Sequence, residues 1–282
     1  MTEKKRPAGS RAKPRQAGTI GAAEFGEYED TQVVGGLARG LSLLTAFRRN
    51  DRTLGNAELA KRTGLNKSTV SRMTYTLALH GFLNFDRHLR EYSLGTQVIA
   101  LGAIALATTN VRTLALPLMQ DLAAHGNFNV GLGTRQDMQM IYTDTVEGGG
   151  LVGLKLYPGS RLPIATSAMG KAYLAGVDEE LRSEVLTALK ADYGNRWPAK
   201  RKGIEAALEE FGKAGFCSSI GDWQEDINGV AVPIAAGPGS PVYVLNLGGP
   251  AYLLPEKRLR AELAPRLLDV AREIEKVLGV IA

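Results

Sequence analysis

Cysteine is almost missing from this chain: Cys217 is the only one in 282 residues, so no intrachain disulfide can form, and a lone thiol matches a reducing cytoplasm. Histidine is also scarce, with three copies, and no set of His, Cys, Asp and Glu falls at metal-ligand spacing, so zinc is not indicated. His80 and His88 lie in one early segment, leaving His125 as the only base for a nucleophilic Cys217, and an inert thiol is the better reading. No apolar run approaches the ~20 residues of a membrane span. The start, MTEKKRPAGSRAKPRQAG, lacks the apolar centre of a secretory signal. Gly170-Lys171 resembles a phosphate loop only superficially, because Ala165 stands where that loop needs glycine and Ala172 where Ser or Thr would hold magnesium. The expectation is a soluble protein with no metal, no cofactor and no catalytic residue.

What the chain does have is positive charge and a pair of capped helices. The formal charge is +5 and the pI near 9.3, which favours polyanionic partners at the level of composition. Residues 56–81, NAELAKRTGLNKSTVSRMTYTLALHG, read as two short helices joined by a tight turn. Asn56 is expected to cap a helix that Gly64 stops, with Glu58 near the positive end and Lys61 and Arg62 near the negative end. Asn66 caps the next helix, which Gly81 terminates. At ~3.6 residues per turn, Val70, Met73 and Leu77 share a packing face. Lys67, Ser68, Thr69, Ser71, Arg72 and Tyr75 supply the polar side, whose small hydroxyls leave a helix free to enter a groove about 12 Å wide. The bland alternative is a helical hairpin with a solvated face.

The flanking segments agree with double-stranded DNA as partner. Residues 82–94, FLNFDRHLREYSL, read as a hairpin whose basic tip, Arg87, His88 and Arg90, would meet phosphates or a minor groove. Leu37, Leu41 and Leu44, widened by Leu43 and Phe47, form the stripe of a preceding helix. Residues 1–32 read as a disordered basic arm, with a DNA-holding role and a merely solvated tail equally open. The winged helix-turn-helix then occupies 33–95. Residues 96–111 form a linker helix with more apolar surface than one face needs, suited to a homodimer, although cover by its own chain is the alternative.

From 112 to 282 the pattern changes. A helix at 113–125 precedes expected strands at 128–132, 138–146 and 151–157. Helices follow at 167–175, 178–190 and 203–213, then strands at 230–234 and 242–247. A last helical region, 255–279, is interrupted at Pro265. Grouped strands and grouped helices indicate an α+β arrangement with an antiparallel sheet. Trp197 and Trp223 are expected in packing, and Lys200, Arg201 and Lys202 on a solvated helix start. In SAMGKAYLAG, Ser167 can cap a helix whose free N–H groups suit a carboxylate, with Ala168 and Gly170 small enough for close approach. Close helix-to-sheet packing explains the same small residues equally well.

The segments GLNKSTVSRMTYTL with GFL, LPIATSAMGKAYLA, DWQEDINGVAVPI and LNLGGP, in that order, resemble the IclR family of bacterial transcriptional regulators. The resemblance runs from about residue 33 to the C-terminus. It implies a winged helix-turn-helix, a linker helix and an effector domain with a curved, GAF- or profilin-like sheet. It further implies operator binding by dimers or dimers of dimers, with small carboxylates or aromatic catabolites as effectors. By the same resemblance Ser167, Ala168, Met169 and Gly170 form one wall of the ligand site, and Asp222, Val232, Asn246 and Gly248 line the opposite side. Where the glyoxylate- and pyruvate-sensing type has hydroxyl or thiol groups, this chain has Val232, Asn246 and Gly248, which shifts the expected ligand to an aromatic or larger acid. Asp222 would repel an anion unless a donor intervenes. Two other classes remain open on the residues: a small-acid enzyme with an accessory nucleic-acid domain, and a ligand-independent architectural DNA binder.

Overall fold

A computed structural model describes residues 34–48, 50–107, 110–149, 155–235 and 241–278. The expected basic arm, and residues 151–154 of the expected third strand, lie outside them.

The N-terminal part folds around α1 (Gly35–Thr45), α2 (Asn56–Thr63) and α3 (Lys67–Leu79), followed by the hairpin β1 (Leu83–Asp86) and β2 (Glu91–Leu94). Leu43, Leu59, Val70, Leu83 and Tyr92 form its core. Gly64 ends α2 in the left-handed region, φ 70°, where glycine carries no Cβ penalty. Asn66 caps α3 by accepting from the Thr69 N–H at 2.8 Å. Asn56, by contrast, is not a cap. It is the first helical residue, behind Gly55, and its Oδ1 accepts from the Thr74 hydroxyl at 3.3 Å, tying α2 to α3. The expected stripe on α1 is also displaced. Leu43 is fully buried, with Leu44 and Phe47 packed beside it, whereas Leu37 and Leu41 are 63% and 53% exposed, because the small core touches only one narrow side of α1.

Two helices lead onward, α4 (Thr96–Ala107) and α5 (Asn110–Ala124). Ile99, Leu101 and Ile104 of α4 are exposed. Among the described residues no helix is long and apolar enough to cross a membrane.

The C-terminal part is built on a six-stranded antiparallel sheet in the order β5-β4-β3-β8-β7-β6. Its strands are β3 (Asn129–Gln136), β4 (Gln139–Val146), β5 (Arg161–Pro163), β6 (Cys217–Ile220), β7 (Ile227–Ile234) and β8 (Tyr243–Pro250). One face packs on α5 and on α10 (Ala264–Val277), through residues such as Met119, Leu132, Val230, Leu245 and Leu267. The other packs on α6 (Ala168–Gly176), α7 (Glu179–Tyr193) and α8 (Trp197–Ala214), through Met140, Met169, Leu189, Ile204 and Val244. A bulge between Leu132 and Gly133 pairs Gly133 with Tyr142 but Leu132 with Asp144. An extra residue in one strand changes its phase, so Tyr142 joins the α6 side. Asp144 pairs with Leu132 of the α5 side and meets Arg112 Nε at 2.9 and 3.0 Å.

Several expected boundaries move. Residues 155–157 are not strand, and the edge position belongs to β5, which pairs with β4 from Ile141 to Gln139. Strand β6 was not expected at all. Helix α8 starts at Trp197, which is buried, with Pro198 in its first turn, so Lys200, Arg201 and Lys202 sit one turn in and Arg201 pairs with Glu205. Pro265 does not interrupt the last helical region. A short α9 (Glu256–Arg258) passes through a π-turn at Leu259–Leu263 into α10, and the wider turn accommodates the proline ring and its missing N–H.

Replacing Asn66 by Ala is expected to cost the N-terminal domain about 1 kcal/mol, the usual loss for a cap, read as a lower urea midpoint in far-UV circular dichroism.

Candidate functional site

The first candidate surface is the outer side of α3 and the hairpin tip. Val70 and Thr74 are fully buried, which turns the opposite side outward: Lys67, Ser68, Ser71 and Arg72 are exposed, Tyr75 is 69% exposed and Thr69 half-buried. The Ser68 hydroxyl donates to Asn66 Oδ1 at 2.8 Å, so it offers neighbours only its acceptor lone pairs. At the hairpin tip, Asp86 Oδ1 accepts from the His88 and Leu89 N–H groups at 2.8 and 3.0 Å, and Arg90 adopts φ 56°, uncommon for a residue with a Cβ. Arg87, His88 and Arg90 are all exposed there. Leu54 pairs its backbone with Tyr92 at 2.8 and 2.9 Å, and Thr53 Oγ1 donates to Glu91. These bonds make the hairpin part of the fold rather than a free loop. Arg62 fastens the preceding loop by donating to Asp51, Glu58 and the Ala46 carbonyl, and its hydrogen bond holds the Asp51 carboxyl below the usual carboxylate range.

The second candidate is a cavity of about 30 Å³ between the sheet and the start of α6. Ser167, Ala168, Met169, Asn246 and Gly248 line it together, on elements far apart in sequence. Ser167 caps α6: its hydroxyl accepts from the Gly170 N–H at 3.0 Å and donates to the Pro163 carbonyl at 2.7 Å. Asn246 Nδ2 donates to Tyr142 Oη at 3.0 Å, while Asn246 Oδ1 is buried with no partner. Burial pushes the Tyr142 phenol above its ordinary pKa, so it stays a neutral hydroxyl. Gly131 pairs with Asn246 across the strands, and a Cβ there would fall 2.2 Å from the Tyr142 ring and 2.7 Å from Asn246 Oδ1. Glycine makes room for both.

Three residues expected in the site are placed elsewhere. Val232 packs with the α5–α10 side, because side chains alternate faces along a strand and its neighbour Ala231 is the one turned towards α6. Val232 lines instead an open groove of about 250 Å³ beside α10, whose charged Arg272 and Glu275 are engaged with Asp269 and the Ala235 N–H. Gly170 faces Ile164, where a Cβ would lie 2.3 Å from the backbone, so its smallness serves packing. Asp222 pairs with Lys171 Nζ at 2.5 Å, which is the donor its charge required.

Sequence reasoning missed Tyr142, Trp223, Leu156 and Ser219 as cavity walls, and Lys171 as the partner of Asp222. Lys171 did carry a signal: a lysine inside the otherwise apolar α6 needs a carboxylate. Trp197 packs as expected, and Trp223 packs against the same core while also bordering the cavity. Cys217 is fully buried, donates to the Ala207 carbonyl at 3.4 Å, and lies across the sheet from the α5 end that carries His125. Among the described residues no group of three or more His, Cys, Asp and Glu is placed to hold a metal ion.

The family described as IclR helix-turn-helix domain matches residues 36–87, and that described as bacterial transcriptional regulator IclR C-terminal matches 103–276. The chain is 30% identical over 247 residues to the HTH-type transcriptional regulator TsaQ1/TsaQ2 of Comamonas testosteroni, covering 87% of this chain and 88% of that one. The crystal structure of an IclR family transcriptional regulator from Brucella abortus is 40% identical with a TM-score of 0.80, over 89% of this chain and 95% of that one. A Microbacterium hydrocarbonoxydans IclR homolog, crystallised with 4-hydroxybenzoate, shares the fold at 23% identity and a TM-score of 0.70, over 87% of this chain and 100% of that one. Relatives of this kind are transcriptional regulators, not enzymes.

Burial holds the Cys217 thiol neutral, moving its pKa from an ordinary 9.0 up to about 12. The folded state keeps a proton the unfolded chain releases, so stability is expected to fall as pH rises from 9.0 towards about 12. Below that window a thiol reagent should leave the native protein unlabelled while the urea-unfolded chain reacts fully.

Proposed function

Because the chain belongs to the IclR family of bacterial transcriptional regulators, we propose that it controls catabolic genes by binding an operator as a homodimer, with a small organic acid setting that affinity. The exposed Ser71, Arg72 and Tyr75 read base edges in the major groove, and the Lys67 ammonium, the Ser68 backbone N–H and the Thr69 hydroxyl, at the start of the same helix, hold the adjacent phosphates. Arg87, His88 and Arg90 at the hairpin tip grip the flanking backbone or minor groove. A second copy covering the apolar side of α4 sets the spacing of the two recognition helices, and a dimer of dimers is compatible with the same contacts.

One observation carries the ligand half: Asn246 is 8% exposed and its Oδ1 has no partner, at a cavity bounded by the first turn of α6. An unsatisfied buried acceptor costs roughly 1–3 kcal/mol, which a ligand hydroxyl or N–H recovers. The helix start opposite suits the ligand's carboxylate, and Tyr142, Trp223 and Met169 suit an apolar or aromatic body. For such binding to regulate, the acid must favour one of the DNA-competent and DNA-incompetent arrangements by a coupling of ~1–3 kcal/mol.

Fluorescence anisotropy with the DNA flanking the gene and a scrambled duplex tests the DNA half. Arg72→Ala and Tyr75→Ala should each weaken operator binding by ~1–3 kcal/mol and random-DNA binding much less; equal losses would remove them from base readout. Small organic acids, 4-hydroxybenzoate first, test the ligand half. Asn246→Leu should lower affinity for the responsive acid while leaving ligand-free DNA binding intact, and an unchanged titration would refute its role.

A further inference from the structure

The outer wall of the cavity stands on a turn whose tip is held differently from its base. Residues 221–226 connect β6 to β7 and bring Trp223 against the cavity. The base is fixed by backbone groups: the Gly221 N–H donates to Asn228 Oδ1 at 3.0 Å and to the Ile227 carbonyl at 3.2 Å, and the Ala251 N–H to the Asp226 carbonyl at 2.7 Å. At the tip, Gln224 and Glu225 are exposed and the Asp222 side chain is 49% exposed. Lys171 reaches across from α6, 3% exposed, donating to Asp222 Oδ2 at 2.5 Å and to the Ser218 carbonyl at 3.3 Å. A buried ammonium is costly without a partner, and this one takes its carboxylate from the turn rather than from the sheet around it.

At about 30 Å³ the cavity has little room for an organic acid, so one enters as a wall moves aside. The strand walls are locked in hydrogen-bonded ladders through Tyr142, Gly229 and Asn246, and α6 is buried from Ala168 to Leu174. The turn is not.

We propose that the Lys171–Asp222 ion pair is the latch of a gate formed by residues 221–226. Closed, it holds Trp223 over the cavity. Parted, it lets the turn swing about Gly221, whose φ of 68° only glycine adopts freely, and widens the mouth of the cavity. The pair also offsets the charge of Asp222, so that carboxylate does not by itself turn away an approaching anion. What passes the gate rests on the effector reading above; the motion does not.

The test needs neither DNA nor ligand. In a Cys217→Ala background, Ala168→Cys places a thiol on the cavity wall, and its rate of modification by iodoacetamide reports opening. Lys171→Met removes the cation and keeps the packing volume. Labelling should accelerate about fivefold, as for a shifted local opening equilibrium, with faster hydrogen exchange confined to residues 221–227. Lys171→Arg, which keeps a cation, should restore slow labelling. Unchanged labelling in Lys171→Met overturns the latch. Faster labelling with exchange spreading through α6 and β7 overturns it too, because Lys171 would then be holding the domain together. If the latch fails while Asn246→Leu still abolishes a ligand response, the effector reading stands alone, and the reverse pair of results leaves a gate without that ligand.

Discussion

Alternation along β7 and β8 is the constraint on which the C-terminal half depends. Side chains on a strand face opposite sides in turn, and here both sides are covered by helices, so each position is committed either to the α5–α10 layer or to the α6–α8 layer. Asn246 and Gly248 fall on the side of α6, while Leu245 and Leu247 between them fill the other core. A one-residue slip would bury the amide among leucines and send two leucines into the cavity.

The same constraint separates what the sequence made legible from what it did not. The helix-turn-helix and its hairpin were readable because their signals are local: Gly64 and Asn66 act within one turn of the helices they end and begin, and Asp86 organises its own turn. The facing of Val232 was not readable, because it depends on strand register set by partners far along the chain. Strands β5 and β6 are 3 and 4 residues long, too short for a periodic pattern, and exist because longer neighbours offer them edges. Asn56 looked like a cap from its residue type, yet the cap position belongs to Gly55 and the amide is spent on Thr74. Leu37 and Leu41 form a genuine helical stripe, but a stripe shows only that a face is apolar, not what covers it.

Charge was legible as a total and not as an arrangement. A formal +5 says little about Arg62, whose guanidinium is consumed inside its own domain by Asp51 and Glu58, or about Lys171, buried against Asp222. Lys67, Arg72, Arg87 and Arg90, by contrast, are exposed on α3 and at the hairpin tip, where a polyanion can meet them. Gly170 and Ser167 carry a related lesson. The Ser167 hydroxyl closes the helix cap expected of it while lining the cavity, but the small size of Gly170, which suggested ligand approach, is demanded by Ile164.

The bulge in β4 puts two unlike neighbours almost side by side. Tyr142 borders the cavity, and two residues later Asp144, on the opposite face, grips Arg112 in the first turn of α5. A sheet is one chain thick, so these two surfaces are separated by a single peptide layer rather than by a packed core. The strand that carries the tyrosine to the cavity is the one whose carboxylate, sharing the Arg112 Nε–H between its two oxygens, ties the sheet to the helix following the linker, so the cavity wall and that tie are parts of one rigid element.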